Sequence, residues 1–186
     1  MIGGLWGGWR HGRELRARAA AYVGTLLQDP DENDVLWLAA TATSGDDDHA
    51  RWELRYARQA VGHLTAQRDA LDDQTGSAVA HALSEALRRD RRVAPGKLGV
   101  AERQLNDRIT AYAEALGNRD GAGSGWHLGR TLLRFAGCRE TVPPESVARA
   151  AAIITTYLQD ANEALRDAFG AASLPESQPP SASRRS

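Results

Sequence analysis

The chain has one cysteine, Cys138, which excludes an intrachain disulfide and fits a reducing compartment. Its near neighbours Arg139 and Glu140 supply no base that would make the thiol a nucleophile, so a small buried thiol is expected. Neither sign of charge is in excess: 23 basic and 24 acidic residues leave a net charge of −1. A nucleic-acid-binding domain normally carries a basic surplus, so nucleic acid is not the expected partner. A large net charge that would keep the chain unfolded is missing too. No stretch approaches the roughly 18 apolar residues of a membrane-spanning helix. The N-terminal MIGGLWGGWR lacks the charged start and apolar run of a secretory leader. The localisation expected is cytoplasmic, with the inner membrane surface as a second place of residence.

Lysine is nearly absent as well. Lys97 is the only one among the 23 basic residues, and the rest are arginine. A GC-rich coding preference explains that bias without any function.

Proline is scarce in a telling way. All seven fall in four places: Pro30, Pro95, the pair Pro143 and Pro144, and the tail at Pro175, Pro179 and Pro180. Proline lacks an N–H and clashes with the preceding helical turn, so it is expelled from helix interiors. The stretches between are rich in Ala, Leu, Arg and Glu at helical spacing. Periodicity predicts helices near 10–28, 31–43, 46–72, 77–90, 98–117, 126–137 and 145–170. Only Val35-Leu36-Trp37-Leu38 is ambiguous between helix and buried strand, and no second strand is in sight to pair with it. The fold class expected is all-α: one irregular bundle of six or seven helices packed around 46–72, read as the longest helix, and 145–170. Residues 1–9 read as a flexible Gly/Trp segment, 10–170 as the helical domain and 171–186 as a disordered Ser/Pro tail. The 31–43 helix is apolar nearly all round and is expected to be central. Asp31 is its expected N-cap, and Asp46, Asp47 and Asp48 open the next helix. On that helix Ala50, Ala57, Ala60, Val61, Leu64 and Leu71 form one apolar stripe. Trp52, Tyr56 and His63 form another, so it should touch neighbours on two sides. Gln74-Thr75-Gly76 is expected to end it.

Few groups carry chemistry. The densest cluster is GDDDHARWE, 45–53. His49 and Glu53 share a face at i,i+4, and Asp46 approaches from the cap, which makes Asp46, His49 and Glu53 the candidate metal ligands. The same residues read as a solvated helix cap. Di-iron helical bundles require Glu-x-x-His, and no such pair occurs in the chain. The Asp69, Asp72 and Asp73 cluster sits where a helix ends, an ordinary place for aspartate. The glycine-rich 121–129 segment lacks the Lys-Ser/Thr of a phosphate loop and follows a helix, not a strand. No cofactor is called for.

Arginines gather at Arg10, Arg13, Arg16 and Arg18, and again at Arg88, Arg89, Arg91 and Arg92. Arg51, Arg55 and Arg58 make a smaller stripe, expected to be exposed and ion-paired. At the N-terminus Ile2, Leu5, Trp6 and Trp9 precede the first basic group. Tryptophan favours interfaces, so Leu5, Trp6, Trp9, Arg10 and Arg13 are the candidate partner-binding residues. The leading functional expectation is a non-catalytic accessory or adaptor protein that binds another protein through helical surface and this Trp segment. Two alternatives stand beside it. One is a metal-dependent enzyme or ligand-binding bundle that uses the Asp46–Glu53 cluster. The other is a peripheral membrane-associated subunit of a larger complex, attached but not spanning.

Overall fold

The computed structural model describes residues 3–70, 73–118, 120–121, 123–138 and 142–170, with the side chains of 3–11 outside the description. Among the described residues there are seven α-helices and no strand: α1 Gly3–Leu26, α2 Glu32–Thr41, α3 Asp47–Asp69, α4 Asp73–Arg89, α5 Leu98–Gly117, α6 Ser124–Phe135 and α7 Pro144–Phe169. The all-α bundle read from the sequence is therefore the fold. No helix among the described residues is long and apolar enough to cross a membrane.

Helix α3 is the hub and lies against each of the other helices. Its inward face explains why. Ala50, Leu54, Ala57, Ala60, Val61 and Ala66 are all buried, and so many small side chains let several helices approach one axis. The partner expected for it, α7, is packed along it, and α6 and α7 form the most intimate pair in the molecule. Gly129 makes that pairing possible. A Cβ there would lie 2.4 Å from the Val147 carbonyl oxygen and 2.8 Å from the Ala151 nitrogen, so the α6 and α7 backbones touch. Gly62 plays the same part between α3 and α1, where a Cβ would meet the Leu26 side chain at 2.4 Å. The Gly62 carbonyl then accepts a hydrogen bond of 2.7 Å from the Tyr22 hydroxyl, tying the two helices. Helix α1 is held between α4 and α7, so the first helix packs chiefly on elements made much later.

Local signals behave as helix-end chemistry requires. The Asp31 carboxylate accepts from the Asn33 N–H and caps α2. Ser44 and Gly45 both have positive φ and break the chain before α3. Pro144 occupies the first turn of α7, and Gly170, with φ of 87°, closes it.

Four expectations need correction. Helix α2 is not central: only Val35, Leu38 and Ala39 are buried, and Leu36 stands 51% exposed, because one face alone meets α3. The longest helix is α7, with 26 residues, ahead of α3 with 23. The chain breaks at Ala70, whose ψ of 136° is extended, and Gln74-Thr75-Gly76 lies inside α4. Glycine in a helix costs only about 1 kcal/mol against alanine, which the packing of Thr75, Val79 and Leu83 offsets. Finally, Arg51, Arg55 and Arg58 are ion-paired as expected but do not form an exposed stripe. They reach Glu32 at 2.8 Å, Asp29 at 2.5 Å and Asp160 at 3.6 Å, and Arg55 is only 8% exposed.

Candidate functional site

The capped start of α3 projects His49, Trp52, Glu53 and Tyr56 at i, i+3, i+4 and i+7, which is one side of a helix. The start of α5 answers with Val100, Gln104 and Arg108. The loop through Arg92, Val93 and Ala94 closes the end, and together these segments border an open cleft of about 440 Å³.

Beneath the cleft lies a buried ion pair. Arg108 donates from Nε to Glu53 Oε2 at 3.0 Å and from Nη2 to Glu53 Oε1 at 2.5 Å. Its third nitrogen donates to the Gln104 carbonyl at 3.0 Å. Both partners are more than nine-tenths buried. The guanidinium is also held between two rings, 4.3 Å from the Phe135 centroid and 5.1 Å from that of Tyr56. The Tyr56 hydroxyl donates to Gln104 Oε1 at 3.2 Å. Burial pushes the Tyr56 phenol above its ordinary value, against the pull of Arg108, so it stays a neutral donor. Trp52 packs on Tyr56 with centroids 5.5 Å apart. Arg55 covers the indole from 5.5 Å.

The loop on the far side is fastened by charge. Arg92 donates to Asp90 and also reaches Asp29, the same carboxylate that Arg55 holds. Burial raises the Asp90 carboxyl, but the Arg92 side-chain and backbone bonds outweigh it and leave the pKa below the usual range. The hydrogen bond from Arg55 lowers that of Asp29.

This geometry distributes the expected metal ligands differently from the sequence. His49 Nε2 comes within 3.6 Å of Glu53 Oε1. Asp46 is elsewhere engaged, since its carboxylate accepts from the His49 backbone N–H at 2.9 Å as the α3 cap. Glu53 has both oxygens on Arg108. Among the described residues no three His, Cys, Asp or Glu side chains converge as a metal site requires.

The N-terminal candidates Leu5, Trp6, Trp9 and Arg10 belong to α1 by backbone, but their side chains lie outside the described residues. Of the segment 1–9 expected to be flexible, residues 3–9 are helical backbone at the start of α1, whereas the disorder expected of 171–186 lies outside the described residues. Arg13 is exposed on α1. Of the basic groups further on, Arg88 and Arg89 pair with Glu85, and Arg18 pairs with Glu14. Sequence reading missed Arg108 and Gln104. The signal existed: Arg108 falls in phase with Ala101, Leu105, Tyr112 and Ala115, the buried stripe of α5.

Comparison with protein-family models, with curated proteins and with solved structures gives no match. The functional reading therefore rests on geometry alone.

Proposed function

We propose that this chain is a non-catalytic accessory or adaptor protein that holds an apolar or aromatic side chain of a partner protein in the α3–α5 cleft. The observation that carries this reading is the Glu53–Arg108 pair. It takes up the one buried carboxylate in the cleft and leaves an aromatic and aliphatic surface as what the cleft offers. Trp52 is half-buried there, and Val100 beside it is one of two large apolar residues exposed among those described, the other being Leu36 on α2. Tryptophan in a shallow pocket is a common anchor at protein interfaces. Lys97 edges the cleft and no ion pair engages it among the described residues, so an acidic residue flanking the anchor is favoured.

The partner recovered with a tagged full-length chain tests this. Val100→Arg should abolish recovery, and Leu36→Arg, on the other exposed apolar residue, should leave it intact. Equal recovery by both variants overturns the cleft reading. If instead deletion of residues 1–9 removes the partner and Val100→Arg does not, the N-terminal segment around Leu5, Trp6, Trp9, Arg10 and Arg13 is the docking element.

A cytoplasmic setting goes with this reading, supported by a cysteine count of one, which leaves no intrachain disulfide to form. Flotation with anionic liposomes at low salt tests residence at the inner membrane surface. Binding that disappears on deleting 1–18 would identify α1 as the attachment.

A further inference from the structure

A second concavity lies on the opposite flank of α3, between the C-terminal halves of α1 and α7, and is independent of the cleft above. Its volume is about 390 Å³. That falls in the range of about 300–1,000 Å³ typical of ligand sites. The walls are small and apolar, with Ala161, Ala164 and Ala168 from α7 facing Ala21 of α1.

Its polar groups are unusual in being unspent. Tyr157 borders the groove, is only 3% exposed, and its hydroxyl has no hydrogen-bond partner among the described residues. Arg58 crosses the same surface, its Cζ 4.4 Å from the Tyr157 ring centroid. One Arg58 nitrogen donates to the Gln28 carbonyl at 3.3 Å, and another lies 3.6 Å from Asp160. Its Nε is buried and unbonded. Buried donors without acceptors are costly and rare in native proteins. Both atoms are closed to solvent in this arrangement, so an acceptor from outside reaches them when the Arg58 side chain, lying over the Tyr157 ring, moves aside.

One edge of the groove is acidic. Asp160, Glu163 and Asp167 follow at i, i+3 and i+7 along α7. Asp160 meets Arg58, whereas Glu163 and Asp167 are exposed and no ion pair engages them among the described residues. The occupant must then be cationic along one side and present an acceptor on another. A polyamine has the first property and lacks the second. A peptide has both. Glu163 and Asp167 are four residues apart, about 6 Å along the helix axis. In an extended peptide residues i and i+2 repeat about every 6.6 Å on one side.

We propose that the α1–α7 groove binds a short extended basic peptide. Arginine or lysine side chains at alternate positions pair with Glu163 and Asp167, and a peptide carbonyl accepts from Arg58 Nε or the Tyr157 hydroxyl. The small alanine walls leave room for the backbone to lie close.

Fluorescence anisotropy with labelled acetyl-Ala-Arg-Ala-Arg-Ala-Arg-amide and the full chain tests it, at about 0.15 M salt, where exposed charges are screened beyond ~8 Å. The basic peptide should bind saturably and its Ala-Glu counterpart should not. Glu163→Gln/Asp167→Asn should weaken binding roughly tenfold, a change of about 1.4 kcal/mol. Ala164→Trp, and separately Ala168→Trp, fill the groove without altering charge and should weaken it as much. Each variant should keep its thermal midpoint within a few degrees. Undiminished affinity in the filled-groove variants would mean diffuse attraction to an acidic surface and would end the proposal. Spermidine binding as tightly as the peptide would end it too, because the acceptor would then play no part.

Discussion

Replacing Arg108 by methionine keeps most of the side-chain volume and removes the charge. Glu53, 4% exposed, then loses both of its hydrogen-bond donors in a place water hardly reaches. Stripping one partner from a buried ion pair costs about 3–5 kcal/mol, far above the ~0–1 kcal/mol of a surface pair. Two ring contacts to the guanidinium, at 4.3 and 5.1 Å, disappear with it and add to the loss. Domains of this kind have about 5–15 kcal/mol in all, so the loss takes between about a fifth of the stability and all of it. Urea unfolding followed by Trp fluorescence and far-UV circular dichroism reads this directly. With a slope of about 1–3 kcal/mol per molar, the midpoint should fall by roughly 1–5 M. The double variant Glu53→Leu/Arg108→Met removes the stranded charge. It should recover to within about 1 kcal/mol of the wild type or exceed it, because the penalty comes from the orphan and not from a favourable pair. A loss below about 1 kcal/mol for Arg108→Met alone would refute the reasoning, since it would mean that water solvates Glu53.

Other outcomes follow from the same structure. Gly129→Ala places a methyl against the Val147 carbonyl at 2.4 Å, so α6 and α7 must separate. The net cost should be about 2 kcal/mol, seen as a thermal midpoint lower by roughly 4–8 °C, and an unchanged midpoint would contradict the backbone contact. His63 is 8% exposed, and burial holds its pKa below the ordinary 6.5. The unfolded chain therefore takes up the proton first, and stability that is full above pH 6.5 declines as pH falls from 6.5 toward the folded pKa. Urea midpoints taken across that interval should drop less in His63→Leu than in the wild type, with Glu102 beside the same pocket left in place. Asp46→Ala should cost about 1 kcal/mol as a lost helix cap. Added zinc, manganese or magnesium should not shift the thermal midpoint of the wild type, and a rise of several degrees would reinstate a metal role for Asp46, His49 and Glu53.

The fold was readable in the sequence because proline placement and apolar spacing are local properties. Helix α5 ran over 98–117 on both counts. The errors arose where tertiary contact decided the outcome. Nothing in Val35-Leu36-Trp37-Leu38 says that only one side of α2 finds a neighbour. Gly76 looks like a stop signal until the packing of Thr75 and Val79 carries the helix through it. In the candidate site, His49 and Glu53 were visible as neighbours on one turn. Their chemistry was not, because it depends on Arg108, 55 residues downstream of Glu53. The clue was an arginine in the apolar phase of α5 and a glutamate in the apolar phase of α3. A charge at a core position requires its opposite at another, and pairing the two from sequence alone needs the helices already docked. The alanine-walled groove was not foreseen either, since alanines on α1 and α7 read as close packing and here leave a gap.

Helix α1 has a further consequence for how the protein is made. Its Tyr22 anchors to Gly62, 40 residues further on, and its remaining neighbours lie on α4 and α7. On a ribosome this face of α1 must wait for α7, more than a hundred residues further on, to be synthesised. At about 5–20 residues per second that delay is roughly 10–30 s, during which Tyr22 and Leu26 lack the α7 residues that border the same groove. Slow translation between α1 and α7 would therefore prolong the time for which this apolar face stands uncovered.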